Sequence, residues 1–329
     1  MTGNIDNQID CIIIGAGISG LMAARTLSER GVRVRVLDKG RGVGGRIATR
    51  RVDGHRFDHG AQSFFFADSS LQVLVREWQQ MDLVRRCEYP FAREAFSNGL
   101  GPLCGNGGIN TVMKMLAADL DVQVNWRVSR LTRSGAFWTV FDRDQRSFTA
   151  RSVILTPPLP QAVDLIRASN INLAPNINSE LKAVAYEPCI ALLATYLDQR
   201  PLPNSAFIQP DCGSVALIFD NHAKGVSPIP GAVTIHSTAK FAREHWDQSD
   251  ELIATELLRA ISHYLPRQPK SVQVHRWRYS RCIYSHPESH LLVETPGPLA
   301  LAGDGFAGVD IQGAALSGIA AARSVAAKL

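Results

Sequence analysis

The chain is short of lysine, of closely spaced cysteine pairs and of long apolar runs, and each shortage removes a class of function. Only 7 of its 35 basic side chains are lysine, and no lysine-rich run or basic patch interleaved with aromatics is present, so no nucleic-acid partner is expected. The six cysteines, at 11, 87, 104, 189, 212 and 282, include no CxxC and read as buried or isolated thiols. The nine histidines include no HExxH pair, and no metal is expected. MTGNIDNQID offers no cationic start, and the apolar run after it is too short for a signal-peptide core or a membrane span. A cytoplasmic protein with no membrane partner is therefore expected. Aromatics make up 7% of the chain, which concentrates interest on the few places where they cluster.

What is present fits an ordinary enzyme of two cores: 329 residues, 45% hydrophobic and 20% charged, with no repeat or low-complexity tract. Cys11 to Asp38 reads CIIIGAGISGLMAARTLSERGVRVRVLD, which predicts a buried strand, a glycine turn, a helix over Ser19 to Arg30 and a second strand from Val32 to Leu37. In this GxGxxG, Gly15 permits the tight turn, Gly17 lets the backbone approach a pyrophosphate, and Gly20 lets the helix pack on the strand. Ile18 and Ser19 open the helix, whose free N–H groups and positive dipole end suit phosphate. Asp38 ends the second strand 18 residues after Gly20, where a carboxylate would accept from a ribose hydroxyl, with Lys39 beside it. These features predict a dinucleotide site.

A second glycine pair, Gly44 and Gly45, precedes Arg46, and Asp58 and Gly60 follow within HRFDHGAQSFF. The far end, LALAGDGFAGVDIQGAALSGIAAARSVAAKL, gives a strand, then Gly303 and Asp304, a loop, and an Ala- and Gly-rich helix that takes in Ile311 and Gln312. Together these segments resemble the signature of FAD-dependent amine oxidases, phytoene desaturases and renalases: an acid ending the second strand, GGR, D-x-G, and a C-terminal GD. The resemblance implies FAD rather than a nicotinamide cofactor. It places Asp304 near the ribityl and pyrophosphate region, the last helix start at the flavin ring, His59, Gly60, Ala61 and Gln62 beside the isoalloxazine, and the backbone near Val128 at the adenine. No cysteine lies in the C-terminal motif, so FAD is expected to be bound non-covalently.

Val122 to Leu131, Phe137 to Asp142 and Ser147 to Ala150 alternate as a three-stranded meander, and Ser152 to Thr156 predicts a separate buried strand. The expected fold class is α/β: a Rossmann-type FAD-binding domain of parallel sheet plus meander (1–68, 101–163 and 272–329), with an inserted α+β substrate domain of mixed sheet (69–100 and 164–271). Ser69 to Asp82 reads as an amphipathic helix, Glu88 to Leu100 as a turn-rich excursion, CGNGG as a glycine turn before a helix over Ile109 to Leu120, and Asp250 to Tyr264 as a helix with Leu252, Ile253, Leu257 and Ile261 inward. Cys189–Leu197, Ser214–Phe219 and Ala232–Ser237 read as strands. In VQVHRWRY, alternation puts His275, Trp277 and Tyr279 on one strand face, either a substrate-pocket wall or a buried aromatic face. The three phenylalanines of HGAQSFFF read as core, with Phe64 also a candidate pocket residue.

TPPLPQA at Thr156 to Ala162 and the HRWRY stretch resemble renalases more than other amine oxidases. None of the 7 lysines falls at an evident match to the lysine that amine oxidases hold near the flavin. Renalase resemblance implies oxidation of the 2- and 6-dihydro isomers of NAD(P)H to NAD(P)+, with electrons passed through FAD to oxygen and peroxide released. Such a reaction needs no general acid or base, because the dihydropyridine nitrogen expels hydride and the flavin carries the chemistry. The expected partners are accordingly a dihydropyridine dinucleotide and O2. A small amine oxidase or desaturase-like dehydrogenase, and a non-catalytic FAD-binding redox protein, stand as alternatives.

Overall fold

The computed structural model describes residues 9–87, 101–197, 201–202, 205–265, 267–293, 295–306 and 308–329. The frayed tail expected at 2–9 falls almost wholly outside these residues, and the excursion expected at Glu88 to Leu100 entirely so. The chain divides into two compact units, one of residues up to Gly45, Met113–Ala185 and Cys282–Leu329, the other of Arg46–Val112 and Tyr186–Arg281.

In the first unit, β1 (Ile9–Ile14) leads through a glycine turn into α1 (Ile18–Ser28) and then β2 (Val34–Leu37). Ile12, Ile13 and Ile14 are almost fully buried because β1 lies mid-sheet, flanked in parallel by β2 and by strand Ser147–Leu155. Strand order across the sheet is Leu291–Val293, Leu299–Leu301, Ser147–Leu155, β1, β2, Asp121–Gln123. Only the edge strand Leu291–Val293 runs antiparallel to its neighbour in this row. Val128–Ser134 and Phe137–Asp142 attach as an antiparallel meander.

Two sequence expectations shift here. The strand expected over Val122 to Leu131 is two, Asp121–Gln123 and Val128–Ser134, separated where Asn125 takes a φ of +55°. Conversely, the strands expected at Ser147 to Ala150 and Ser152 to Thr156 are one. Its first half pairs antiparallel with the meander and its second half parallel with β1.

The second unit is built on a sheet ordered Phe207–Ile208, Val215–Asp220, Ala232–Ser237, Ala185–Thr195, Ser271–Tyr284. The first three of these pairings are antiparallel. Helix Asp250–Ala260, capped by Ser249, covers the sheet with Ile253 and Leu257, and Ile261 follows at its end. Leu252 is not inward; it is 55% exposed, because seating Ile253 and Leu257 on the sheet rotates position 252 towards water. Between the GGR and D-x-G motifs, where the sequence reads as a flavin-covering loop running on to about Ala67, stands a hairpin, Thr49–Val52 with His55–Asp58, turned by Asp53 and Gly54, both at positive φ.

A second hairpin, Val84–Arg86 with Leu103–Gly105, ends in a disulfide between Cys87 and Cys104. The expectation of isolated thiols is thus corrected for this pair. Their separation of 17 residues carries no sequence pattern, and strand pairing brings them together. Cys11, Cys189, Cys212 and Cys282 are not disulfide-bonded.

The unit boundaries also fall differently from the expected domains. Residues 46–68, 101–112 and 272–281 group with the second unit, since Asp58 and its neighbours hydrogen-bond to Asn221 and Thr234 there. Residues 164–185 group with the first: the helix Leu159–Ala168 leads to Ser169, whose hydroxyl accepts from Leu131 N at 2.7 Å. Among the described residues, no helix is long and apolar enough to cross a membrane.

Candidate functional site

The glycine turn of the first unit is held by backbone contacts that leave one side open. Gly15 sits at φ +108°, and a Cβ on Gly20 would lie 1.9 Å from Gly15 O, so both positions exclude a side chain for reasons of fold. Thr156, from the TPPLPQA stretch, braces the turn with its hydroxyl 2.9 Å from Ile14 O and 3.2 Å from Gly15 O. The second glycine pair closes against the same turn: Gly44 N donates to Ala16 O at 2.8 Å, and a Cβ on Gly45 would stand 3.5 Å from Gly17 Cα.

Gly17 differs. A Cβ there would meet nothing within 4 Å. It caps α1 without a side-chain hydrogen bond, no acidic residue occupies the first turn, and the buried Ser19 hydroxyl has no hydrogen-bond partner among the described residues. Open space, uncommitted helix-start donors and an orphaned hydroxyl together fit a pyrophosphate.

Asp38 is tied into the turn. Its Oδ2 accepts from Ala16 N and its Oδ1 from Gly40 N, each at 2.6 Å, so the carboxylate locks two loops together and keeps only its remaining lone pairs for a ribose. Lys39 donates to Gln161 Oε1 at 2.9 Å, and burial, reinforced by the charge of Arg127, pulls its ammonium below the usual lysine range. Val128 opens the first meander strand. At the other end of the chain, Gly303 N donates to Ser317 Oγ at 3.0 Å and Asp304 is buried. Ile311 and Gln312 begin the helix Ile311–Ala326, which Asp310 caps through Gly313 N. That helix packs closely on α1, since a Cβ on Gly318 would be 2.1 Å from Ser19 O.

The remaining candidates lie in the second unit. Trp277 Nε1 donates to His59 O at 2.8 Å, and the His275 ring sits 4.3 Å from that of Trp277 and 4.8 Å from that of His59. The three rings form a partly open face. His59 Nδ1 lies 3.0 Å from Ala48 O, which can only accept, so the proton is on Nδ1. Burial depresses His59, and burial first, then the charge that His59 would carry if protonated and that of Arg50, lowers His275 to about 4, so both imidazoles are neutral at pH 7. Tyr279 belongs to a neighbouring patch: its ring meets Tyr186 at 5.6 Å and its carbonyl accepts from Arg46 Nη1 at 3.1 Å.

Gly60 backs onto Arg46, where a Cβ would be 2.0 Å from Arg46 O, and Ala61 N donates to that same carbonyl. Phe64 is core, packed between Phe66 and Trp78. Gln62 points inward, its amide donating to Asp58 O at 2.6 Å. Behind it lies a group the sequence did not single out. Lys224 is buried, with Nζ 2.7 Å from Gln62 Oε1, 2.9 Å from Gln62 O and 3.1 Å from Asp58 Oδ2. Burial pulls this ammonium's pKa down while the Asp58 carboxylate opposes the shift. Asp58 Oδ1 in turn accepts from Thr49 Oγ1 at 2.6 Å and Ile109 N at 3.0 Å. His55 and His59, like His286 and His290, stand four apart, but neither pair lies on a helix. Among the described residues no three His, Cys, Asp or Glu side chains group as a metal site.

The chain's sequence matches the NAD(P)-binding Rossmann-like domain over residues 13–78 and the flavin-containing amine oxidoreductases over residues 81–326. It belongs to the flavin-containing amine oxidoreductase family. FAD is accordingly its cofactor, and the open turn at Gly17 fits the dinucleotide's pyrophosphate. Curated relatives of this amine oxidoreductase include the chloroplastic protoporphyrinogen oxidase of Nicotiana tabacum, 36% identical over 77 residues, which are 23% of this chain and 14% of the relative. Putrescine oxidase of Kocuria rosea is 43% identical over 68 residues (21% and 14%), and phytoene desaturase of Fusarium fujikuroi 45% over 55 residues (17% and 10%). The chain thus spans no more than 14% of the length of these relatives.

Solved structures extend the likeness in fold to nearly the whole chain. One from Exiguobacterium sp., provisionally assigned as a protoporphyrinogen oxidase, superposes with a TM-score of 0.76 at 14% identity, covering 98% of this chain and all of the other. A putrescine oxidase variant superposes with a TM-score of 0.68 at 17% identity, covering 98% and 99%.

Proposed function

We propose that this amine oxidoreductase is an FAD-dependent oxidase of dihydro-NAD(P) isomers, the 2- or 6-dihydro forms, returning NAD(P)+. Bound FAD would accept the hydride equivalent and pass the electrons to O2, giving hydrogen peroxide. The observation that carries the reading is the ring face of His59, His275 and Trp277. It offers flat surfaces for a pyridine ring and neutral imidazoles in place of a charged acid or base. A dihydropyridine supplies its own push from the ring nitrogen, so the protein's task is to hold the ring and keep water out. Trp277 is fixed for that task by its bond to His59 O.

In this proposal Gly15, Gly17, Ile18, Ser19 and Gly20 hold the FAD pyrophosphate non-covalently, Asp38 and Val128 lie at its adenosine end, and Gly303, Asp304, Ile311 and Gln312 lie towards the flavin. Arg46, His59, Gly60, Ala61 and Gln62 are proposed as further cofactor contacts on the family resemblance of GGR and D-x-G.

The test is anaerobic mixing of the purified flavoprotein with borohydride-generated dihydro-NAD isomers, followed at the oxidised-flavin band. Authentic 4-dihydro-NADH and a panel of primary amines serve as comparisons. Rapid bleaching by the 2- or 6-dihydro isomers alone, reversed by air with peroxide formed, is the expected result. Bleaching by an amine would replace the reading with an amine oxidase, and no bleaching by any of them would leave a binding protein.

A further inference from the structure

Arg50 stands on the strand Thr49–Val52, directly opposite Phe57 in the hairpin. The ladder continues one step beyond the named strands, where His59 N donates to Ala48 O. Alternation therefore puts Ala48, Arg50 and Val52 on the same face as Phe57 and His59, with His59 the diagonal neighbour of Arg50. This face of the hairpin is covered at Phe57, which is 1% exposed and packs with Leu193, Ala232 and Val52. Thr49 and Asp58 lie on the opposite face, engaged with each other.

A guanidinium on a partly covered face normally finds a carboxylate, since a half-buried cation without one is costly. Arg50 is half-buried, yet among the described residues its guanidinium has no hydrogen bond or ion pair. Four carboxylates of the same unit are committed elsewhere: Asp58 to Lys224, Glu187 to Arg281 and Arg243, Asp250 to Arg276, and Asp220 to the backbone of its own turn. The Arg50 charge is nonetheless felt by both His59 and His275, the two imidazoles of the ring face. An uncommitted cation beside a flat aromatic surface is the arrangement that recognises a planar ring carrying an anionic group.

We propose that Arg50 is the anion anchor of this face, taking a phosphate group of the ligand whose ring lies against His275 and Trp277. This deepens the function proposed above and rests on it for the identity of the ring. A dinucleotide carries such phosphates; a polyene or a simple amine does not. The fork of the guanidinium would hold two phosphate oxygens at once, which lysine's point charge cannot reproduce.

The experiment compares wild-type holoenzyme with R50M and R50K on two substrates, the dihydro-NAD isomers and the corresponding dihydronicotinamide ribosides, which lack phosphate. R50M is expected to raise KM for the dinucleotide about tenfold to a hundredfold, the range for a charge-assisted bidentate contact, with kcat and the riboside KM nearly unchanged. R50K should fall between. Inorganic pyrophosphate, titrated against tryptophan fluorescence, gives a readout free of turnover: it should bind wild type and lose affinity for R50M. Equal damage to dinucleotide and riboside, undiminished pyrophosphate binding by R50M, or loss of FAD in place of substrate discrimination would overturn the assignment. If wild type oxidises no dihydropyridine, the functional reading fails, while the pyrophosphate titration still decides Arg50.

Discussion

Gly17 and Gly20 belong to one motif and are glycine for different reasons. A methyl on Gly20 would run into the carbonyl of Gly15 at 1.9 Å, whereas one on Gly17 would enter open space. Gly20→Ala should therefore destabilise the fold by about 1–3 kcal/mol through overpacking. Gly17→Ala should leave the apoprotein's melting temperature nearly unchanged and weaken FAD binding at least about tenfold, because the methyl occupies the pyrophosphate's approach. Thermal melts of apoprotein, set beside FAD titrations, separate the two effects. The buried imidazoles give a second expectation at this scale. His236 and His275 are both lowered to about 4, chiefly by burial, against 6.5 in the unfolded chain. Between those values the unfolded chain binds the extra protons, so stability is full above pH 6.5 and falls as pH drops towards 4. A tenfold difference in proton affinity between folded and unfolded chain is worth about 1.4 kcal/mol, and less for His275, which water partly reaches. Melting temperature followed from pH 7 to about pH 4.5 should fall steeply, and less steeply in His236→Asn.

The element most dependent on its surroundings is the turn 59–62, whose shape rests on Lys224 behind it. Lys224→Met removes the cation from a buried pair and leaves Asp58 with an uncompensated charge, which should cost about 3–5 kcal/mol in urea unfolding. Adding Asp58→Asn to the same protein should recover part of that loss; if the double variant is as unstable as the sum of the singles, the two residues do not act as a pair. This network was not legible in the sequence, because Lys224 lies 162 residues from Gln62 and within a segment that shows no motif. The first strand, helix and second strand were legible, since burial on both faces leaves an apolar run and the glycines punctuate it. The hairpin 49–58 had its signal too: Asp53-Gly54 between two four-residue strands is a two-residue turn, but the GGR and D-x-G motifs around it invited a loop reading. Leu252 was misplaced because a helix with apolar residues at 252, 253, 257 and 258 can be phased two ways, and only the sheet beneath chooses.

For the whole molecule, the chain passes between its two compact units four times, after Gly45, Val112, Ala185 and Arg281. Residues 186–281 hold three complete strands and most of two more, yet Phe57 and Val52, from far upstream, complete a cluster with Leu193 and Ala232. That span expressed alone should therefore lack cooperative unfolding by circular dichroism, and recover it only when residues 46–112 are supplied. Neither discontinuity nor boundary was readable from composition, since all crossings fall inside motifs or regular elements rather than in a Pro- or Gly-rich linker. The Cys87–Cys104 bridge adds a condition of another kind. Closing a loop of this length constrains the unfolded chain by about 3 kcal/mol, so stability should drop by roughly that amount in reductant. It also makes the maturation of this hairpin an oxidation: each chain that reaches its final form gives up an electron pair to something else. The yield of finished protein then depends on the host's thiol chemistry as well as on its translation, and a reducing cytosol and an oxidising one would return two different products from one gene.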